Sequence, residues 1–155
     1  VGSVGRNFRL LGHPVHAPLT HFPLALWTAA FGADLVFLVR QDPFWWRSAF
    51  WAIALGLGIG SLTLLTGLLD YAAVPEERKE TLKTASWHMG VMLVATGLFT
   101  VSLYYHRLPL PSSPVEQMAA LAFSGLGTLC LHVGGWLGGQ LVYHHGIGYD
   151  GRDQD

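Results

Sequence analysis

The chain has 155 residues, 51% of them hydrophobic and 12% charged, with a mean hydropathy of +0.37. Soluble domains carry about 25% charged residues, so this composition argues against a water-soluble globule. Nine Lys and Arg against ten Asp and Glu leave a net charge of -1, which excludes a large nucleic-acid surface. Six Trp, eight Phe and five Tyr exclude disorder, and the single Cys130 excludes an internal disulfide or a thiolate cluster.

Four apolar stretches follow in order, at about 19–39, 44–69, 84–105 and 117–143. Each has the roughly 20 residues an α-helix needs to cross about 30 Å of hydrocarbon. Lipid satisfies no free backbone N–H, so all four are expected as helices. Gln41-Asp42-Pro43 breaks the first pair, and the prolines of 108–114 break the last. Between the second and third lies a charged link that includes Glu76-Glu77-Arg78-Lys79-Glu80, read as a solvated loop. The expectation is one all-α domain over 1–155, an integral membrane four-helix bundle running up-down-up-down, with short polar tails. No internal sequence repeat is evident. A cleaved signal peptide fits poorly, because the first stretch is too long and contains His21, Pro23 and Asp34.

Lys and Arg flanking the spans favour both termini in the cytoplasm: Arg6, Arg9, Arg78, Lys79, Lys83 and Arg152 share the side of the termini, against Arg40, Arg47 and Arg107 opposite. Trp45, Trp46 and Trp51 suit an aromatic belt at the far interface.

Gly56 and Gly60, Gly134 and Gly138, and Gly135 and Gly139 stand four apart. This spacing lets membrane helices approach closely, and helix contact is its simplest reading. The other reading is a flat trough for a planar cofactor, since Gly125, Thr128, His132, Gly135 and Gly139 share one face of the fourth helix.

Folding the spans up and down gathers His13, His16, His21, His88, His144, His145 and Asp70 on the side of the termini, with His132 at mid-depth and His106 opposite. Neutral imidazole is the commonest transition-metal ligand and a frequent axial ligand of haem. His21 and His88 are expected as the axial pair, coming from different helices at similar depth. Pro14, Pro18 and Pro23 suggest an extended lead-in with a helix start near Thr20, which could fold over the bundle mouth and bring His13 and His16 towards His21. Asp70 is placed either to orient a ligating ring or to face water as a helix-end acid. Asp34 lies about 20 Å from His21 along the helix, so it belongs to no shared site. An intramembrane acid is costly unless paired, and Arg47 or Arg40 is its expected partner, with a proton or quinone role as the second reading.

The segment Gly12-His13-Pro14-Val15-His16-Ala17-Pro18-Leu19-Thr20-His21-Phe22-Pro23 resembles the opening signature of the bacterial membrane family called domain of unknown function 2231. Asp34, Gly67-Leu68-Leu69-Asp70 and His88 resemble its internal positions. Gly134-Gly135-Trp136-Leu137-Gly138-Gly139-Gln140-Leu141-Val142-Tyr143, with His145-Gly146-Ile147-Gly148, is similar to its closing signature. Ala17 departs from an expected proline, and His132 and His144 match no pattern position. The resemblance covers about 10–149 and implies four transmembrane helices in a bacterial inner membrane. Relatives joined to Rieske-type iron–sulfur domains imply redox company.

The leading expectation is a b-type haem protein that passes electrons, an electron-transfer subunit rather than a stand-alone enzyme. Its partners would be the lipid bilayer, a redox protein or a quinone, in a larger complex or a homo-oligomer. The alternative is a non-haem Cu, Zn or Fe site built from His13, His16, His21, His88, His145 and Asp70. A third reading is a structural membrane subunit whose histidines only cap helices. No Gly-x-Ser-x-Gly stretch supports hydrolysis, and the glycine-rich runs lie inside an apolar helix rather than in a phosphate-cradling loop.

Overall fold

The computed structural model describes residues 9–10, 13–107, 110–111 and 113–148, with only the backbone for 9, 10, 13 and 14. Four helices dominate: α1 (His16–Arg40), α2 (Pro43–Ala72), α3 (Lys79–Tyr105) and α4 (Pro114–Tyr143). All four are long and apolar enough to cross a membrane. Ahead of α1, Arg9–Leu10 (β1) pairs antiparallel with His13–Pro14 (β2).

The helix boundaries have local causes. Asp42 caps α2, its side chain accepting from Phe44 N–H at 2.9 Å, with Pro43 in the first helical position. Ser113 caps α4 by accepting from Glu116 N–H at 3.3 Å, again with a proline, Pro114, following. Proline suits this position because its missing N–H would be unpaired there anyway. Gln41 ends α1 in a left-handed conformation (φ 53) and returns its N–H to Phe37 O at 2.8 Å. At the other end, α1 starts at His16, earlier than the prolines suggested. Pro18 is tolerated because the first turn needs no N–H from it, and His16 thereby becomes a helical residue.

The bundle consists of two hairpins. α1 packs extensively on α2 and α3 on α4, whereas α1–α4 and α2–α3 contacts are sparser. Trp27 lies in the groove of Gly56 and Gly60, and Phe99 lies on Gly127, where a Cβ would come within 2.8 Å of its ring. Gly134 and Gly138 similarly receive Met92 and His88. These glycines serve helix contact, whereas Gly135 has open space around it. Large side chains such as Leu55, Leu65 and Trp136 point outward, as a lipid-facing surface requires.

The two hairpins repeat one another. An offset of 72 positions from α1 to α3 matches buried Pro23 with Ala95, Trp27 with Phe99, Ala30 with Ser102 and Asp34 with His106. An offset of 71 from α2 to α4 matches Ala49 with Ala120, Ile53 with Ser124, Gly56 with Gly127, Gly60 with Leu131 and Thr63 with Gly134. The caps match as well, Asp42-Pro43 with Ser113-Pro114. The expectation of no repeat is therefore corrected: the repeat lies mainly in the burial pattern, with scattered identities such as Pro43 with Pro114, Ala49 with Ala120, Leu55-Gly56 with Leu126-Gly127 and His16 with His88. Equivalent residues also touch. Trp27 stacks on Phe99 at 4.6 Å between centroids and 18° between planes, and Asp34 meets His106. A residue touches its own equivalent only at a two-fold axis. Because α1 and α3 run in the same sense, that axis lies along the bundle, as in parallel membrane repeats.

Candidate functional site

Near the far end of the bundle, all four helices meet in a buried polar knot. Asp34 of α1 is 4% exposed and His106, capping α3, is 0% exposed. His106 Nε2 stands 2.6 Å from Asp34 Oδ1. Its Nδ1 faces Ser102 O at 2.9 Å, and a carbonyl only accepts, so Nδ1 carries a hydrogen. One further proton then lies between Nε2 and Oδ1. The other carboxylate oxygen accepts from Ser124 Oγ of α4. Ser102 Oγ donates to Ala120 O at 2.9 Å, tying α3 to α4.

From α2, Trp46 stacks on the His106 ring at 4.4 Å and touches Phe37 of α1. Two expectations are corrected here. Asp34 pairs with His106 and Ser124 rather than with Arg40 or Arg47, because it lies on the inward face of α1. Trp46 belongs to the core rather than to an interfacial belt, although Trp51 is 57% exposed. The sequence carried a signal for the pair: one intramembrane acid, and one histidine alone on its side of the membrane.

On the side of the termini, the histidines separate by face. The core stripe of α1 runs through Pro23, Trp27, Ala30 and Asp34, and His16 lies on its extension. His16 Nδ1 donates to Thr63 O of α2 at 3.0 Å and stands 3.3 Å from Thr66 Oγ1. Its ring lies on Gly67, where a Cβ would come within 2.7 Å. His88 in α3 repeats this arrangement. Its Nδ1 donates to Gly134 O of α4 at 2.8 Å, and its ring lies on Gly138, with 3.3 Å to a Cβ there. A carbonyl partner at Nδ1 fixes the tautomer and leaves Nε2 with its lone pair.

His21 occupies the other side of α1. It is exposed, and its Nδ1 bonds Pro18 O of its own helix at 3.3 Å. Two residues from Pro23 is about 200° around a helix, which turns His21 away from the core stripe. His132 is exposed and bonded to Thr128 O at 2.7 Å. Asp70 closes α2 and its carbonyl accepts from Ala73 N–H at 3.2 Å. The side chain of His13 lies outside the described residues. Among the described residues, no three His, Cys, Asp or Glu side chains converge as a metal set.

His145 has both ring nitrogens engaged, Nδ1 at 3.2 Å from Thr81 Oγ1 and Nε2 at 3.1 Å from Thr84 Oγ1. Thr84 gives its own proton to Glu80 O, so Nε2–H donates to Thr84 and Nδ1 accepts from Thr81. Arg78 donates to His145 O, so the charged link grips the turn that follows α4. Partial burial, then the neighbouring His144 and Arg78 charges, hold His145 below its ordinary pKa, with Glu80 opposing. A histidine with a lowered folded pKa adds stability above its unfolded value and loses it as pH falls through the folded one. Below about pH 6.5, the turn at 144–148 is therefore expected to loosen. Amide exchange across that turn should accelerate on acidification, and a His145→Gln variant should lose the dependence. An unchanged pH response in that variant would contradict the assignment.

The chain is thus a multi-pass membrane protein of the four-helix bundle class, in contact with the lipid bilayer. It belongs to the family described as predicted membrane protein (DUF2231), whose profile matches residues 12–151. No curated protein and no solved structure matches it.

Proposed function

We propose that this protein binds a b-type haem on the side of its termini and passes electrons as a small subunit of a membrane redox assembly. The observation supporting this is the His88 ring, fixed through Nδ1–H to the Gly134 carbonyl with Nε2 left to ligate. Haem-ligating histidines are oriented by such outer partners. His88 and a histidine at the start of α1 would hold the haem iron through their ring nitrogens. An iron porphyrin brings four nitrogens of its own and takes two more, which suits a site offering paired imidazoles.

When bound, the haem supplies a one-electron couple. The protein's share is to hold the imidazoles, to keep water out and to set the low polarity around the iron. The electron donor is a quinol or a redox protein, and the setting is a bacterial inner membrane with both termini cytoplasmic.

A reduced-minus-oxidised absorption spectrum of protein purified from haem-replete membranes tests this. A Soret band that shifts with dithionite, at one haem per chain, is the expected result. A colourless protein after incubation with ferric haem overturns it, and stoichiometric Cu, Zn or Fe in that protein would point to the non-haem site instead.

A further inference from the structure

We infer that the second axial ligand is His16 rather than His21, so that one haem sits on the internal two-fold axis and takes one imidazole from each hairpin. This rests on the haem reading above and specifies its site. His16 and His88 are equivalent residues under the same offset that matches Trp27 with Phe99 and Asp34 with His106. Those two other pairs each meet at the axis, one by ring stacking and one by hydrogen bond. The histidine pair therefore forms a third axial layer, about 16 Å above Trp27 at 1.5 Å per residue.

Three independent features of the two histidines agree. Both donate through Nδ1 to a backbone carbonyl of the other helix in their own hairpin, Thr63 O and Gly134 O. These two carbonyls are themselves equivalent positions. Both rings lie on a glycine, Gly67 or Gly138, and these glycines are equivalent as well. Among the described residues, neither Nε2 makes a hydrogen bond, so each lone pair is available. Contact between the two hairpins is sparser than contact within each, which suits a planar ligand held between them. Two-fold symmetry suits an iron porphyrin, which takes equivalent nitrogens on opposite faces of its plane. His21 shares none of these features, because it faces away from the axis and has no counterpart at position 93, a leucine.

The test uses the full chain with ferric haem b and three variants, His16→Gly, His88→Gly and His21→Gly. Low-temperature electron paramagnetic resonance reads the low-spin bis-imidazole signal. The wild type and His21→Gly are expected to show it. His16→Gly and His88→Gly are expected to lose it and to regain it with millimolar imidazole, a rescue that a merely structural histidine would not give. Gly67→Ala provides a milder probe. Its methyl group presses on the His16 ring, so the haem should remain bound with a shifted reduction potential. If His21→Gly loses the signal while His16→Gly keeps it, the axial pairing is wrong and the haem reading stands. If the wild type binds no haem, both fall.

Discussion

Replacing Asp34 with alanine is expected to destabilise the bundle by about 3–5 kcal/mol, the cost of breaking a buried pair from one side. The loss exceeds that of one hydrogen bond because His106 and Ser124 are stranded together. His106 Nε2 and the Ser124 hydroxyl both aim at the missing carboxylate, in a site from which water is excluded. The double variant Asp34→Leu/His106→Leu should recover a substantial part of the loss, since it removes both members of the buried pair and the Ser124 hydroxyl can still donate to Leu121 O at 3.1 Å. Reversible unfolding in detergent micelles, followed by tryptophan fluorescence, reports both. Additive losses in the double variant would show that the two residues are not coupled.

Trp27→Ala is expected to cost about 3–5 kcal/mol, the range for deleting a large aromatic from a packed interior. Trp27 fills the groove over Gly56 and Gly60, stacks on Phe99 and donates from Nε1 to Ile53 O at 3.4 Å. Lipid is as apolar as the ring, so close packing rather than removal from water holds it there. A cavity at this point separates α1 from α2 and also parts the two hairpins. Trp27→Phe should retain much of the stacking, so its loss should be clearly smaller. The same micellar unfolding assay measures both, and equal losses for the two variants would deny the stack its role.

The four spans were legible because lipid imposes length and apolarity on any crossing helix. Their ends were less so, because proline reads as a helix breaker when the first helical turn tolerates it. That single effect at Pro18 moved His16 out of the expected helix and hid that it shares the core stripe of α1. With α1 starting at His16, helical periodicity alone puts His16 on the stripe of Pro23, Trp27, Ala30 and Asp34, and His21 on the reverse. The inward face of His88 was legible because nothing disturbs the periodicity of α3. The Asp34–His106 pair was legible only as two isolated polar residues on one side of the membrane, since their meeting depends on which diagonal helices approach, and no local pattern reports that. The hairpin repeat was hidden for a related reason. It preserves where side chains are buried rather than which side chains they are.

Joining both hairpins in one polypeptide has a chemical consequence at the axis. Two identical hairpins associating as separate copies would oppose each axial residue with itself. An acid would then face an acid at depth, where two neighbouring carboxylates resist ionising together. A single chain frees the two positions to differ, and here aspartate faces imidazole in a complementary clasp. The same freedom leaves the histidines alike at the opposite end, where two matching donors are what a central ion would require.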